Sequence, residues 1–438
     1  MRRVLPNLHD ALRHARRDSL IRNSLFMMSV TIITSALGFV YWLVAARVFS
    51  AADVGLAAAL VSAMTFASIL SNPGLQSVLV ERLPRRASGR EWALTANAAY
   101  AGGSATALLA GALCVVMLPL ISGEFALLGR WSYAAAFVGG VWATTMATLL
   151  DYTWIAERAT GKTLLRNLLF AAGKIPLVAL PTAVAFGAFG VFASWSFSVA
   201  ATVVIGLAVL PRLGRGYRPE FRGIAAEWRV MAGSTGWHHG INLGNLIPTT
   251  LLPVAVAAAL SATDAAYFYA TWRLAGIFFM VSPAVATSLF AEGSHGDMSL
   301  RRRTQSAART TALLLGPALV GFLALGHWAL SLFGAAYAEH GFLLLLLLVL
   351  SAVPDAVVNL YSSVLRVEGR LPFAAGISLA GAVLSVVLAL LLMPSVGIAG
   401  AGVGWLVARV AGALVVLWDR VRVGGPQIER LRRILPTT

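Results

Sequence analysis

Residues 340–365 read HGFLLLLLLVLSAVPDAVVNLYSSVL, and residues 366–370 read RVEGR. The first stretch can cross a bilayer as a helix, because a span needs roughly 20 apolar residues at 1.5 Å each to cover about 30 Å of hydrocarbon. The second stretch places two arginines directly after it. Cytoplasmic loops of membrane proteins carry an excess of positive charge, so the two stretches predict one span that ends on the cytoplasmic side.

The same alternation of apolar runs and basic clusters continues along the whole chain. Of the 34 Lys and Arg residues, 29 fall in seven clusters: 2–22, 82–90, 158–166, 212–229, 301–309, 366–370 and 420–433. Each interval between consecutive clusters has room for two spans, and the outer turns hold one further cation, Arg130. We therefore expect an all-α, multi-pass protein of the cell membrane with twelve spans and both termini in the cytoplasm.

The bounds of the spans follow from the length of each apolar run. The predicted spans are 24–49, 54–80, 93–119, 131–155, 166–187, 189–211, 229–258, 265–290, 307–333, 340–365, 372–393 and 397–419. The outer gaps between them are too short to hold an extracellular domain.

Composition agrees with a membrane protein. Hydrophobic residues make up 58% of the chain and charged residues 12%, against roughly 45–50% and 25% in soluble domains. The net charge of +16 therefore indicates topology and contact with anionic membrane lipids rather than binding to nucleic acid. Cys114 is the only cysteine, so no intramolecular disulfide can form.

A long basic segment at the midpoint divides the chain into two lobes. We predict a basic cytoplasmic segment at 1–22, an N-lobe at 23–211, a cytoplasmic linker at 212–228, a C-lobe at 229–419 and a basic cytoplasmic tail at 420–438.

The two lobes repeat one another at offsets of 208 to 211 residues. The matching segments are Ser50–Asp53 with Ser261–Asp264, Glu81 with Glu292, Asp151 and Gly161 with Asn359 and Gly369, and Gly187–Gly190 and Trp195 with Gly397–Gly400 and Trp405. Six spans per lobe is an even number, so both lobes are expected to have one orientation, with the substrate site in a cavity between them.

Four cations lie inside apolar runs: Arg47, Lys174, Arg273 and Arg409. A charge at mid-helix costs about 2.5–3.5 kcal/mol on insertion scales, and Asp355 is the one acid well inside a predicted span. One carboxylate cannot neutralise all deep cations, so we expect most of them to face water and bind an anionic substrate. Two alternatives stay open: Arg47 extends to the outer head groups, or Asp355 pairs with one cation while the others extend to head groups.

Other residues are candidates for binding and coupling. Tyr269 shares a helical face with Arg273 and is a candidate for stacking on a sugar ring, with an interfacial aromatic belt as the alternative. Asp355 with His238 or His239 is a candidate for proton coupling.

The seventh predicted span carries a stripe of small residues at a spacing of four. Gly236, Gly240 and Gly244 form the stripe, and Pro248 follows it. Such a stripe favours close helix packing, and with the proline it also fits a flexible gating helix.

The sequence gives little support to catalysis. Residues 156–163 read AERATGKT and resemble a phosphate-binding loop, but they lie between membrane spans, so we expect no nucleotide. We found no cluster with metal-ligand spacing and no Gly-x-Ser-x-Gly motif, so we expect neither an enzyme nor a metal or other cofactor.

Five short motifs follow one another along the chain: Asn23–Ser24, Leu43–Gly55, Asn72–Leu75, Tyr267–Ala270 and Val396–Ala401. In order and spacing over residues 23–420 they resemble the polysaccharide flippases of the multidrug/oligosaccharidyl-lipid/polysaccharide (MOP) superfamily. The resemblance implies a V-shaped carrier of two six-helix lobes. It also implies outward movement of a polyprenyl-pyrophosphate-linked oligosaccharide, by alternating access, for O-antigen-type polysaccharides. Twelve spans argue against the lipid II branch, which typically has fourteen, and a cationic interior argues against the drug exporters, which handle cations.

The residues and the resemblance together predict a flippase in which Arg273, Arg409 and Lys174 replace the hydration of a pyrophosphate group. The expected partners are the lipid-linked glycan and the polymerase and glycosyltransferases that act on it. One alternative is a twelve-span importer of sugars or metabolites, although the basic loop typical of that class after span two is missing. The other is a membrane glycosyltransferase or polymerase that uses polyprenyl-linked sugars, although no sizeable outer loop is present.

Overall fold

The computed structural model describes residues 19–72, 74–86, 89–213, 220, 222–232, 237–293 and 300–434. In this part of the chain the regular structure is helical, and we number the α-helices in chain order. They are α1 Ser19–Val48, α2 Ala51–Leu70, α3 Leu75–Arg82, α4 Gly89–Ile121, α5 Trp131–Ala156, α6 Thr160–Val178, α7 Pro181–Ala185, α8 Ala188–Val209, α9 Ile224–Ala232, α10 Trp237–Ala259, α11 Ala262–Phe279, α12 Val281–Gly293, α13 Leu300–Ser331, α14 Ala335–Val367, α15 Leu371–Val396 and α16 Ile398–Ile434.

Length and hydropathy identify the helices that can cross a membrane. Within the described residues nine stretches qualify: Ala51–Leu70, Gly89–Ile121, Trp131–Ala156, Ala188–Val209, Ala262–Ala286, Thr304–Ser331, Ala335–Val367, Leu371–Val396 and Ile398–Arg422. Two shorter apolar helical stretches, Ile33–Val48 and Leu243–Ala259, lie in the first and seventh predicted spans. The predicted fifth span, 166–187, is divided between α6 and α7. The helical, multi-pass fold is confirmed, and the number of twelve spans stays a prediction.

Two further predicted spans are not continuous helices. Within the predicted span 54–80, α2 ends at Leu70 and α3 begins at Leu75. Gly74 before α3 has a φ of 74°, a left-handed conformation that glycine adopts without strain. The predicted span 265–290 consists of α11 and α12, which meet at Met280. At the first break residues 71–74 read SNPG, which is typical of a turn. At Met280 the apolar run continues, so hydrophobicity alone does not reveal the second break.

The sequence repeat corresponds to repeated local structure at the starts of α2 and α11. The Ser50 hydroxyl donates to the Asp53 carboxylate at 2.6 Å and accepts from the Asp53 backbone N–H at 3.1 Å. Ser261 and Asp264 make the same two hydrogen bonds, at 2.6 and 3.0 Å. Each serine caps a helix N-terminus, and each aspartate places a negative charge in its first turn. The predicted repeat is thus confirmed in local geometry.

A second repeated feature precedes α8 and α16. Gly187 and Gly397 have φ values of 54° and 61°, in the region that favours glycine. Three residues later, Gly190 and Gly400 approach the preceding helix so closely that an added Cβ would lie 1.9 Å from a backbone oxygen and 2.7 Å from a backbone carbon, respectively. The same glycine pattern therefore serves the same turn in both halves.

Contacts divide the described residues into two compact units. The first comprises residues within Met1–Val48, Ala67–Met117 and Leu127–Thr235, and the second comprises residues within Phe49–Phe66, Leu118–Ala126 and Gly236–Thr438. The lobes expected from the sequence differ from these units at 49–66 and 118–126, which the sequence assigns to the N-lobe, and at 229–232, which it assigns to the C-lobe. The lobe boundaries themselves stay a prediction.

Gly55 explains why 49–66 packs within the second unit. A Cβ added at Gly55 would lie 1.7 Å from the backbone oxygen of Ala262 and 2.6 Å from the backbone nitrogen of Ala266. Helices α2 and α11 therefore touch backbone to backbone at this point, which requires glycine.

Part of the predicted linker is anchored on the first unit through Glu227 of α9. This carboxylate forms ion pairs with Arg86 and with Arg82, the latter at 3.9 Å, and accepts a hydrogen bond from the Thr95 hydroxyl at 2.9 Å. All four groups are at least partly buried, so one acid satisfies two arginines of the basic cluster at 82–90.

Glu220 forms a second anchor for the linker. Its carboxylate accepts from Arg90 Nε at 2.9 Å, and its backbone oxygen accepts from the Asn97 amide at 3.0 Å. The backbone N–H of Arg222 also donates to the carboxylate, and together with Arg90 it holds the pKa of Glu220 below its ordinary value.

Candidate functional site

The four cations inside the apolar runs divide into two exposed and two buried residues. Arg47 and Arg273 are exposed, whereas Lys174 is 2% and Arg409 is 6% exposed. Arg47 lies in the last turn of α1 and is therefore not deep. Of the three deep cations, only Arg273 is exposed, whereas we expected most of them to face water.

Arg273 lies near the middle of the apolar stretch Ala262–Ala286. It follows Ala262 by eleven residues, which is about 16 Å of helix at 1.5 Å per residue. A guanidinium exposed to hydrocarbon at that depth would be costly. The predicted contact between Arg273 and an anionic substrate stays a prediction.

Tyr269 lies under the Arg273 side chain, one helical turn earlier on α11. The guanidinium carbon is 4.8 Å from the ring centroid of Tyr269, and the guanidinium donates a hydrogen bond to its hydroxyl. The shared face predicted from the spacing is confirmed. However, Tyr269 is 2% exposed, so its ring does not offer a surface to a sugar. It supports Arg273 in this structure, and stacking on a sugar ring stays a prediction.

Arg47 occupies a different environment from Arg273. It is exposed in the last turn of α1, three residues before the capping Ser50. A helix end suits an arginine that extends to lipid head groups, so the structure leaves both interpretations of this residue in place.

Lys174 lies in a cage of aromatic rings. Its Nζ is 3.6 Å from the ring centroid of Trp195, 4.5 Å from that of Phe170 and 4.9 Å from that of Tyr41. The Tyr41 hydroxyl is fixed by donation to the backbone oxygen of Val191 at 2.8 Å. Three helices, α1, α6 and α8, thus surround the ammonium with the negative faces of three rings. Lys174 does not face water in this structure, and its contact with the substrate stays a prediction.

Arg409 is held by an internal acid. Its Nε lies 3.2 Å from Asp355 Oδ1, without the alignment of a hydrogen bond, and both side chains are 7% exposed. The guanidinium also lies over the Trp405 ring at 3.9 Å. This is the alternative in which Asp355 pairs with one cation. Substrate contact by Arg409 would require that pair to open, because a buried charge without a partner is costly.

The other carboxylate oxygen of Asp355 binds two neutral groups. Oδ2 accepts from the Asn359 amide at 2.8 Å and from the Ser282 hydroxyl at 3.3 Å. The network joins α12, α14 and α16. The side chains of His238 and His239 lie outside the described residues, so their pairing with Asp355 stays a prediction.

The glycine stripe is described in part. Gly236 and the surroundings of Gly240 lie outside the described residues, but an added Cβ at Gly244 would lie 2.6 Å from the backbone carbon of Ser378. Helices α10 and α15 therefore pack backbone to backbone, as the close-packing interpretation expects. Pro248 lies inside the continuous helix α10, and a gating role for this helix stays a prediction.

Sequence reasoning missed two partly buried ion pairs at predicted inner ends of spans. Arg166 donates twice to Asp151, at 2.8 and 2.5 Å, and Arg370 donates twice to Asp419, at 2.8 and 2.9 Å. The available signal was the rarity of acids: Asp151 and Asp419 stand at the ends of apolar runs beside basic clusters, where an arginine partner is expected.

The chain matches known proteins in sequence and in fold. A sequence model of the family described as "Polysaccharide biosynthesis protein" matches residues 20–291. No curated protein sequence matches the chain significantly.

Solved structures of transporters share the fold. Lipid II flippase MurJ in an inward closed conformation matches with a TM-score of 0.74 and 12% identity, covering 90% of this chain and 87% of that one. A multidrug resistance MATE family transporter of the MOP superfamily, inward-facing, matches with a TM-score of 0.66 and 16% identity, covering 92% and 98%. A eukaryotic MATE transporter matches with a TM-score of 0.58 and 13% identity, covering 92% and 96%. At these identities the likeness shows the fold alone.

The resemblance found in the short motifs is therefore confirmed by two independent comparisons. The family match covers well over half of the chain, and solved structures of a MATE transporter and of MurJ share the fold over 92% and 90% of it. The chain belongs to the polysaccharide biosynthesis protein family.

Proposed function

We propose that this protein is a flippase that moves a polyprenyl-pyrophosphate-linked oligosaccharide from the cytoplasmic to the outer leaflet by alternating access. Membership in a polysaccharide biosynthesis family supports a glycan substrate. The fold shared with a lipid II flippase supports movement of a lipid-linked glycan across the bilayer.

The observation that carries this proposal is the exposed arginine at the middle of α11. A pyrophosphate must leave water to cross the membrane, and its charge requires a cation to replace hydration. Arg273 offers a planar donor group that suits phosphate oxygens bidentately, at the depth where the loss of water is most costly. Tyr269 beneath it limits the orientations of the guanidinium.

The buried cations take another role in this proposal. Lys174 and Arg409 are enclosed by aromatic rings and, for Arg409, by a carboxylate. We assign them to the stability of the helix packing in the state described here. Contact between either of them and the substrate would belong to a different conformational state.

The membrane potential favours the proposed direction. An anionic group that moves outward across an inside-negative membrane gains roughly 2.3 kcal/mol per charge per 100 mV. The loaded step therefore needs little further driving force, and the return of the empty, positively lined carrier is the step that ion coupling would assist.

Reconstitution of the purified protein tests the proposed function. Proteoliposomes containing a fluorescent polyprenyl-pyrophosphate-linked sugar are treated with a membrane-impermeant quencher, and the flipped fraction is followed over time. We expect a rate well above that of protein-free liposomes. If the folded protein does not flip this lipid but takes up free sugar, it is an importer. If it does not flip the lipid but transfers sugar to an acceptor, it is a transferase.

A further inference from the structure

Three apolar stretches meet at one junction in the second unit, where two of them end and one begins. They are Ala335–Val367, Leu371–Val396 and Ile398–Arg422, and the short turn from α14 to α15 lies beside the end of the third stretch. Arg370 in that turn donates two hydrogen bonds to Asp419 of α16, and Tyr361 of α14 donates to the same carboxylate. The junction of α14, α15 and α16 is therefore fixed at the level where hydrocarbon gives way to water.

Arginines concentrate at this junction, and we call Arg366, Arg370, Arg420 and Arg422 the arginine cluster. Two carboxylates, Glu368 and Asp419, both pair with Arg370, which Glu368 approaches to 3.8 Å. Within the described part of the chain no ion pair reaches Arg420 or Arg422, and the buried Nε of Arg366 makes no hydrogen bond. The cluster thus keeps an excess of positive charge.

Aromatic rings fix the orientation of three members of the cluster. The guanidinium of Arg422 lies 4.2 Å from the Trp418 ring centroid, that of Arg420 lies 5.1 Å from the Tyr361 ring, and that of Arg370 lies 5.0 Å from the Phe373 ring. A guanidinium stacked on a ring directs its N–H groups sideways, away from the ring. The donors of Arg420 and Arg422 are both exposed.

Trp418 places this donor set at a membrane surface. Its side chain is 53% exposed and lies one turn before Arg422, where the apolar stretch of α16 ends. Tryptophan is enriched at the level of lipid head groups, and basic pockets between membrane helices bind phosphate-bearing head groups. A phospholipid presents its phosphate at this same level without any change in the protein.

We propose that the arginine cluster binds the phosphate head group of an anionic phospholipid, with Arg420 and Arg422 as its main donors and Trp418 against the lipid. Arg370 is held by Asp419 and shapes the site rather than contacting the phosphate. This site is separate from the substrate contact proposed for Arg273, so the two proposals stand or fall independently.

Lipid retention by the purified full-length protein tests the site. Wild type, R420Q/R422Q and the control R85Q/R90Q are titrated with phosphatidylglycerol in detergent, and bound lipid is counted by native mass spectrometry. Arg85 and Arg90 are also exposed and belong to another basic cluster, so the control removes the same charge elsewhere. We expect affinity to fall about tenfold or more in R420Q/R422Q and to be unchanged in the control. Equal affinity of R420Q/R422Q and wild type, or an equal loss in the control, would overturn the proposal.

Two further arms identify the ligand and control for folding. Inorganic pyrophosphate should not displace bound phosphatidylglycerol; displacement at similar concentrations would show a site for free phosphate and overturn the lipid assignment. The unfolding midpoint without anionic lipid checks the variants. If R420Q/R422Q unfolds at a lower temperature than wild type, the single variant R422Q is used in its place. Its affinity for phosphatidylglycerol should fall about fivefold. An unchanged affinity in that variant would contradict the site.

Discussion

Asp355 and Arg409 form a buried ion pair between α14 and α16, with 3.2 Å between Oδ1 and Nε. Ser282 and Asn359 donate to the second oxygen of the carboxylate, so the acid is bound on both sides. The pair neutralises one cation that would otherwise be isolated within the membrane. Among the three deep cations, Lys174, Arg273 and Arg409, it leaves Arg273 as the exposed one.

The ion pair predicts a characteristic pattern of stability. R409M leaves a buried carboxylate without its cation, and we expect a loss of about 3–5 kcal/mol in the free energy of unfolding. R409M/D355N removes both charges and should recover at least half of that loss. Thermal unfolding in detergent measures the loss of stability in R409M and its recovery in R409M/D355N. An R409M protein as stable as wild type would show that the pair does not hold the fold and would return Arg409 to the substrate path.

The aromatic cage predicts coupling between Lys174 and Trp195. W195L removes the ring nearest to the ammonium, and K174M removes the charge while keeping a side chain of similar length. Because a desolvated cation–π contact contributes about 2 kcal/mol, the double variant should be more stable than the sum of the two single losses by about 1–2 kcal/mol. Strict additivity of the three unfolding free energies would show that ring and ammonium do not interact.

Close packing of α2 on α11 predicts different outcomes for two glycines. At Gly55 an added methyl group would meet the backbone of Ala262, so G55A should destabilise the protein by about 1–3 kcal/mol. Gly276 on α11 has no heavy atom within 4 Å of an added Cβ, and G276A should be neutral or stabilise by up to about 1 kcal/mol. The two unfolding midpoints, measured side by side, check this. Equal midpoints would contradict the backbone contact.

Anchoring of the linker predicts unequal effects for two acids. E227Q breaks partly buried ion pairs with Arg82 and Arg86 and should cost about 1–3 kcal/mol. E81Q breaks an exposed pair with Arg85 and should cost less than about 1 kcal/mol. Limited proteolysis at the linker, compared with thermal unfolding, measures whether the anchor is lost. Unchanged cleavage in E227Q would mean that the linker is held by other contacts.

The sequence predicts the parts of this structure that depend on local pattern. Apolar length and basic clusters locate the membrane helices, and the Ser50 and Ser261 caps are visible as a repeat because each lies within four residues of its aspartate. The contact between Tyr269 and Arg273 is likewise local, since residues four apart on a helix are neighbours.

What the sequence does not predict depends on contacts between distant helices. The partner of Arg409 is 54 residues away in sequence, and the rings around Lys174 come from three helices. Because these contacts are not visible in the sequence, the prediction relied on the number of acids inside the spans. That number suggested that most deep cations face water. The packing of 49–66 within the second unit depends on Gly55, and nothing in the local sequence distinguishes that glycine from a neutral one.

The flipping rate of Arg273 variants tests the central claim most directly. Wild type, R273A, R273K and the control R85A are reconstituted at equal amounts, with unfolding midpoints measured for each. We expect R273A to flip the pyrophosphate-linked sugar about 10 to 100 times more slowly, since a charge-assisted hydrogen bond contributes about 1.5–3 kcal/mol. R273K should fall in between because it keeps the charge without the bidentate donor, and R85A should match wild type. A flipping rate equal to that of wild type in a folded R273A protein would contradict the claim that this arginine carries the pyrophosphate across the membrane.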